Sequence, residues 1–173
     1  MTILETDRLI LRELDADLDA AFINQLLNAP KFILHIGDRR VRTDDEAREF
    51  IDTRYRQSYI NNGYGLYAVE LKNEVGRQVG MCGFVRRDTL PGPDIGFAFL
   101  PEFEGRGYGL ESAAAMMEYG RTKLGFDRVL AITTLENDAS IKLLKKLGFE
   151  LDRVLDEPGE QKLNLFSFRF FDA

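Results

Sequence analysis

Three glycines at every second position are the most distinctive chemical feature of the chain. Gly105, Gly107 and Gly109 lie in the segment EGRGYGLE, which follows an apolar run, Ile95 to Leu100, predicted to be a β-strand. Glycine adopts backbone conformations that are closed to other residues, so such a loop can turn several N–H groups toward one point. At a helix start, these N–H groups and the helix dipole bind anions, phosphates above all. The segment therefore predicts a phosphate-binding loop.

Two common nucleotide-binding loops can be compared with this one by spacing, and neither fits. A P-loop ends in Gly-Lys-Ser/Thr, and this loop has no such lysine and hydroxyl pair. A dinucleotide-binding loop has its third glycine three residues after the second, where this chain has Leu110. It also requires an acidic residue at a strand end about 20 residues later, which the sequence lacks. A glycine turn that only caps a helix stays open as an alternative.

The loop and two further segments resemble the GNAT (GCN5-related N-acetyltransferase) superfamily. Residues 104–109 (EGRGYG) match its acyl-CoA loop, x-x-x-Gly-x-Gly/Ala, at a strand-to-helix junction. Residues 137–149 (NDASIKLLKKLGF) are similar to a later motif, an Asn followed by a helix that ends in Gly-Phe. The opening MTILETDRLILRELDADLDAAF resembles the start of the ribosomal-protein N-acetyltransferase (RimJ/RimL-type) branch. The matches follow the family's order and span almost the whole chain.

The resemblance implies an acetyl-CoA site in a cleft between two splayed strands, the strand before the loop and the strand after the following helix. Backbone groups of Phe99 and Leu100 are expected to hydrogen-bond the pantetheine amides as an added strand would. Asn137 is expected to position the pantetheine, or only to cap its helix. The pyrophosphate is expected to bind the loop residues Gly105, Arg106, Gly107, Tyr108 and Gly109. The Arg106 side chain either adds a charge contact or points to solvent.

Two residues are candidates for catalysis by the family's direct attack of an amine on the acetyl thioester. Asp94 is the expected base, because the RimJ/RimL branch usually carries Glu at this position before Ile-Gly. The alternative is that Asp94 is only a turn residue after Pro93. Ser140 is expected to hydrogen-bond the departing sulfur. An α-amino group, with a pKa near 8, is already partly neutral at pH 7 and needs only a weak base.

Two positions depart from the family's pattern. Many members place a tyrosine acid four residues after the position of Ser140, where this chain has Leu144. Glu104 stands where the branch usually has Trp, and a carboxylate near a pyrophosphate is unfavourable unless it points outward. Both departures favour a second interpretation, a GNAT-fold protein that binds acyl-CoA as a sensor without efficient catalysis. His35 is predicted to have a surface or packing role, in a loop that the family resemblance implies to lie beside the acceptor pocket.

The composition is that of a globular protein with one domain, residues 1–173. Of the 173 residues, 45% are hydrophobic, and neither a membrane span nor a secretory signal is visible, so a cytoplasmic location is expected. The single cysteine, Cys82, excludes an internal disulfide, and no His or Cys pair accompanies His35 to predict a metal site. The protein is expected to be a monomer or a homodimer.

The net charge of −6, with no dense basic tract, argues against duplex nucleic acid as the main ligand. An acidic surface would favour cationic partners, such as amines or basic peptides. Mild acidity that only keeps the protein soluble is the simpler explanation.

The predicted elements follow the order β-α-α-β-β-β-α-β-α-β-β. Pro30 is expected to end the first helical region, and a capping box, Thr43 to Glu46, to begin the second helix, which Gly63 ends. This order is also that of the GNAT family. The resulting fold class is α/β (α+β): a single-domain GNAT fold, with a mixed, mostly antiparallel sheet of about seven strands and helices on both faces.

The resemblance therefore implies an acetyl-CoA-dependent N-acetyltransferase that acts on a primary amine. The N-terminal α-amine of a ribosomal or other protein is the acceptor that the family suggests. Other members of the branch acetylate small amines or antibiotics, and the residues do not separate these acceptors.

Overall fold

An eight-stranded mixed sheet forms the centre of the protein in a computed structural model, which describes residues 1–171. The strands are β1 Thr2–Glu5, β2 Leu9–Arg12, β3 Leu66–Leu71, β4 Gln78–Val85, β5 Asp94–Phe99, β6 Arg128–Thr134, β7 Glu150–Leu155 and β8 Leu163–Arg169. Their order across the sheet is β1-β2-β3-β4-β5-β6-β8-β7. Every neighbouring pair is antiparallel except β5 and β6. The strand that sequence analysis did not predict is β1, which pairs with β2.

The described helices pack around this sheet and confirm most of the predicted boundaries. They are α1 Ala16–Leu27, α2 Pro30–His35, α3 Asp44–Phe50, α4 Arg56–Asn62, α5 Tyr108–Thr122 and α6 Asp138–Leu147. Thr43 and Glu46 form the predicted capping box, and Gly63 ends α4 with a φ of 76°. A π-helical turn, Ile51–Tyr55, joins α3 to α4. In the described residues, no helix is long and apolar enough to cross a membrane.

The first helix does end before Pro30, at Leu27, but no loop follows, because Pro30 begins α2. Proline lacks an N–H group, and the first turn of a helix makes no intrahelical bond with its N–H groups, so proline is well suited to that position. The segment that includes His35, expected to be a loop, is consequently helical up to His35. This helix places His35 beside the sheet.

A buried ion network fastens α1 to the sheet. The Arg12 guanidinium donates two hydrogen bonds of 2.8 Å to Asp19 and one of 2.9 Å to Glu70. Asp19 is fully buried and also accepts from the Gln78 amide and the Asp15 N–H, both at 2.8 Å. Burial alone would raise the pKa of Asp19, but Arg12 and the other donors together hold it below its usual value. The carboxylate is therefore charged and fully paired.

The strands β5 and β6 pair only near their starts. Asp94 lies opposite Leu130, and the Leu130 N–H donates to the Pro93 carbonyl at 2.9 Å. Beyond this point β5 stays paired with β4, and β6 stays paired with β8 as far as Thr134. The two strands therefore splay apart, as the family resemblance implies, and leave a cleft in the middle of the sheet.

Candidate active site

Two cavities meet at the open end of this cleft. The loop cavity, about 630 Å³, lies between the glycine loop, β5 and α6. The wide cavity, about 950 Å³, lies between α2, the π-helical turn, α4 and the face of β5. The residues that line both cavities, called the junction here, are Phe32, His35, Ile36, Phe97, Ala98, Asn137 and Ser140. A molecule in one cavity can thus reach a molecule in the other at the junction.

The glycine loop has the conformation of an anion site. Gly105 and Gly107 have φ values of 73° and 82°, in the left-handed region that favours glycine. Gly107 is also the N-cap of α5, whose first N–H groups have no intrahelical partner. A Cβ atom at Gly107 would lie 3.2 Å from a terminal nitrogen of Arg8, a tight contact, but it is mainly the left-handed conformation that favours glycine here. The loop residues Gly105, Gly107, Tyr108 and Gly109 line the loop cavity and fit a bound pyrophosphate.

The hairpin formed by β1 and β2 supports this loop through Arg8, which lies in the turn between the two strands. The Arg8 side chain donates to the Glu111 carboxylate at 2.6 Å and to the Arg106 carbonyl at 3.0 Å, and it lies 4.6 Å from the centre of the Tyr108 ring. The Thr6 hydroxyl donates to the same carboxylate at 2.7 Å. Burial alone would raise the pKa of Glu111, but the bonds from Thr6 and Arg8 hold it below its usual value. The Glu111 carboxylate therefore joins the hairpin to the first turn of α5.

The register of β5 decides which backbone groups face the cleft. The Leu100 N–H donates to the Val79 carbonyl at 2.9 Å, and Leu100 is buried. Residues of an antiparallel strand direct their backbone groups alternately to the two sides. Since Leu100 faces β4, Phe99 and Phe97 direct theirs toward the cleft. The backbone groups of Phe99 and Phe97 therefore face the cleft, whereas those of Leu100, a predicted contact, are paired with β4.

Arg106 also lies outside the loop cavity. Its guanidinium stands 5.3 Å from the centre of the Phe103 ring. The Arg106 carbonyl is occupied by Arg8. Of the two interpretations of this side chain, the geometry favours the one without a charge contact to the ligand. Arg106 therefore contributes to the loop through its backbone carbonyl, which accepts the hydrogen bond from Arg8.

Asp94 is a buried carboxylate on the wall of the wide cavity. Its side chain is 1% exposed, and its Oδ1 accepts from the Arg87 Nε at 3.1 Å. Burial raises the pKa of Asp94 to about 6, and Arg87 limits the rise. A carboxyl group with this pKa exchanges protons near neutral pH, which suits a weak general base. Asp94 stands four residues before Ala98 at the junction, about 13 Å along an extended strand.

The start of α6 brings Asn137 and Ser140 to the junction. The Asn137 side chain accepts from the Ser140 N–H at 3.3 Å, so it does cap the helix, and both residues line both cavities. Leu144, at the position of the family's tyrosine, is buried. Glu104 pairs with the Lys31 ammonium at 2.8 Å, which offsets the negative charge that the sequence places beside the loop.

His35 is the junction residue that sequence analysis assigned only a surface or packing role. Its Nδ1 lies 2.6 Å from the Thr134 hydroxyl at the end of β6. This contact fixes the ring between the two cavities. The partner is 99 residues away along the chain, so no local pattern could have indicated the arrangement.

Cys82 has no part in this chemistry. It is fully buried in β4, and burial raises the pKa of its thiol to about 12. Within residues 1–171, no group of three or more His, Cys, Asp or Glu side chains is placed to hold a metal ion.

Comparison with known proteins gives the family. Residues 8–150 match the family model of the acetyltransferase (GNAT) domain. YoaA of Bacillus subtilis (strain 168), an uncharacterized N-acetyltransferase, is 29% identical over 155 residues, which are 88% of this chain and 85% of YoaA.

Two solved structures share the fold over nearly their whole length. A GNAT-family acetyltransferase of Bacillus anthracis has a TM-score of 0.78 and 23% identity, with 98% of each chain covered. RimL, a ribosomal L7/L12 α-N-protein acetyltransferase in complex with coenzyme A, has a TM-score of 0.82 and 18% identity, also over 98% of each chain. With its splayed strands, glycine loop and matched domain, the chain belongs to the acetyltransferase (GNAT) family and is an acetyl-CoA-dependent N-acetyltransferase.

Proposed function

We propose that the protein transfers the acetyl group of acetyl-CoA to a primary amine held in the wide cavity, and that the acceptor is the N-terminus of a protein or peptide. The observation that carries this proposal is the meeting of two cavities at one wall. A cavity of about 950 Å³ is large enough for several residues of an extended chain. RimL, which shares the fold, is named for acetylating a protein α-amine.

The loop cavity is proposed to hold the coenzyme. The amides of Gly105, Gly107 and Gly109 would bind the pyrophosphate, supported by the dipole of α5. Phe99 and Phe97 would offer backbone groups to the pantetheine, since their side of β5 is not paired beyond Asp94. Asn137 would contact the pantetheine while it caps α6.

Asp94 and Ser140 are proposed to serve the chemical step. The neutral amine nitrogen attacks the acetyl carbon and becomes positively charged, and Asp94 accepts one of the protons that the nitrogen already carries. Because Asp94 and Ala98 are about 13 Å apart along the strand, this transfer runs through water. The carbon–sulfur bond then breaks, and the Ser140 hydroxyl donates a hydrogen bond to the departing sulfur. A thiol has a pKa near 8.5, so the leaving group needs only this modest help.

Calorimetric titration with acetyl-CoA tests the loop assignment. Wild type is expected to bind with micromolar affinity, and Gly107→Glu to lose binding, because a carboxylate would stand where the pyrophosphate approaches. The matched control is Gly125→Glu, which adds the same charge at another left-handed glycine, φ 71°, with open space around it. Equal losses in both variants would show a general effect of strain and would remove the loop from the proposal.

A turnover assay tests the transfer. Release of coenzyme A in the presence of N-terminal peptides, lysine-containing peptides and small amines is expected for at least one class. Tight acetyl-CoA binding without turnover of any amine would instead favour the sensor interpretation. Glu104 offers that interpretation little support, because Lys31 already pairs with its carboxylate.

A further inference from the structure

Four arginines without an ion-pair partner among residues 1–171 line the wide cavity. They come from three separate parts of the chain: Arg39 and Arg40 follow α2, Arg54 lies in the π-helical turn, and Arg86 follows β4. All four are exposed. Among residues 1–171, every carboxylate that lies within 4.0 Å of an arginine nitrogen is paired with an arginine other than these four.

The acidic residues of the wide cavity do not neutralise this charge. Asp38 is held by Arg42, with bonds of 2.6 Å and 3.0 Å, and it also accepts the Arg40 N–H at 2.8 Å. Asp94 is paired with Arg87. The remaining acidic lining residue is Glu160. Four unpaired positive charges therefore face one unpaired negative charge.

This local charge is opposite to that of the whole chain, which is −6. Exposed charges more than about 8 Å away are largely screened at physiological ionic strength, so a ligand in the cavity responds mainly to its lining. A concave wall of one sign also concentrates the field on the ligand. The cavity thus attracts anions, although the net charge of the protein suggests cationic partners.

We infer that the acceptor is an acidic amine: a primary amine whose neighbouring groups carry carboxylates. This inference rests on the proposed function, since it names the class of substrate for the same site. Guanidinium groups form paired hydrogen bonds with carboxylates, which would orient the acceptor with its amine toward the junction. The polar side chains of Gln57 and Asn61 on the same wall suit the amide groups of a peptide. A polyamine would meet like charges there.

Competing acceptors with the same first residue test the inference. We would compare kcat/KM for Ser-Glu-Glu-, Ser-Gln-Gln- and Ser-Lys-Lys- peptides, for the dipeptide Ser-Glu and for spermidine. The acidic peptide is expected to exceed the Gln peptide by at least about tenfold at low salt, with the difference shrinking as salt rises. The dipeptide distinguishes an acidic peptide from a small acidic amine as the acceptor. Acetylation of the dipeptide but not of the longer acidic peptide would indicate a small acceptor.

The double variant Arg39→Gln/Arg54→Gln assigns the effect to the cavity. Its KM for the acidic peptide is expected to rise about tenfold, and its preference for the acidic over the Gln peptide is expected to shrink. Acetyl-CoA binding in calorimetry, at the other cavity, reports whether the variant is folded. The matched control is Arg121→Gln on α5, an exposed arginine paired with Glu118 away from the cavity. This control is expected to keep the wild-type preference.

The outcomes separate this inference from the proposed function. Equal rates for the three peptides, or a preference for the Lys peptide or spermidine, would overturn the acidic acceptor and leave the acetyltransferase in place. An acidic preference that survives in the double variant would overturn the role of the arginines. Turnover of no amine, despite acetyl-CoA binding, would overturn both.

Discussion

Replacing Asp94 by Asn is expected to remove one ionisation from the pH dependence of acetyl transfer. The carboxyl group has a pKa of about 6 because it is buried on the wall of the wide cavity. It is about nine-tenths ionised at pH 7 and about one-tenth ionised at pH 5. A base with this pKa therefore loses about tenfold of its active form over those two pH units.

The ratio of kcat/KM between wild type and Asp94→Asn isolates this ionisation, since protonation of the acceptor amine affects both proteins equally. The ratio is expected to be about 100 at pH 7, at the lower end for general bases because an α-amine is already partly neutral. It should fall to about 10 at pH 5 and be level above pH 7. In an Arg87→Gln background the pH below which this ratio falls should be higher, because Arg87 lowers the pKa of Asp94.

The assay is coenzyme A release between pH 5 and pH 8 with one peptide acceptor. Asp88→Asn, an exposed neighbour, serves as the control and should behave as wild type. A ratio that does not change with pH would refute the role of Asp94 as the base. The same profile for His35→Gln would then be measured, since the imidazole of His35 stands at the junction.

Four further predictions follow from the contacts. Ser140→Ala should lower kcat about tenfold with little change in KM, while Ser140→Thr, which keeps the hydroxyl, should retain activity; an unchanged kcat in the alanine variant would contradict its role. Glu111→Gln should weaken acetyl-CoA binding about fivefold in calorimetry, whereas Glu118→Gln on the same helix should not, and equal affinities would show that the hairpin does not brace the loop. Asp19→Ala should lower the free energy of unfolding by about 3 kcal/mol in denaturant titration, against less than about 0.5 kcal/mol for the exposed Asp17→Ala; equal losses would contradict the buried network. Cys82 should react with a thiol reagent only after unfolding in guanidinium, and rapid labelling of the folded protein would contradict its burial.

Features fixed by neighbouring residues could be predicted from the sequence. The Thr43–Glu46 capping box and the left-handed Gly63 depend on contacts within a few residues, and both are present. Pro30 shows the limit of such patterns, because proline is common both after one helix and in the first turn of the next. The short strand β1 was missed because its four residues carry no clear alternation of apolar and polar side chains.

Features fixed by distant contacts could not be predicted in this way. Phe97, and not Leu100, directs its backbone groups toward the cleft because the pairing of β5 with β4 sets the direction of each backbone group. The four arginines of the wide cavity are spread from Arg39 to Arg86, and their common site exists only after folding. The placement of β8 between β6 and β7 likewise follows from the topology of the sheet.

The splayed strands also bear on the colloidal behaviour of the protein. Beyond Asp94 and Leu130, β5 and β6 present strand edges within the sheet, and unpaired edges invite pairing with another chain. A pantetheine lying along β5 would shield one of these edges. Purification in the presence of acetyl-CoA should then suppress aggregation at high protein concentration.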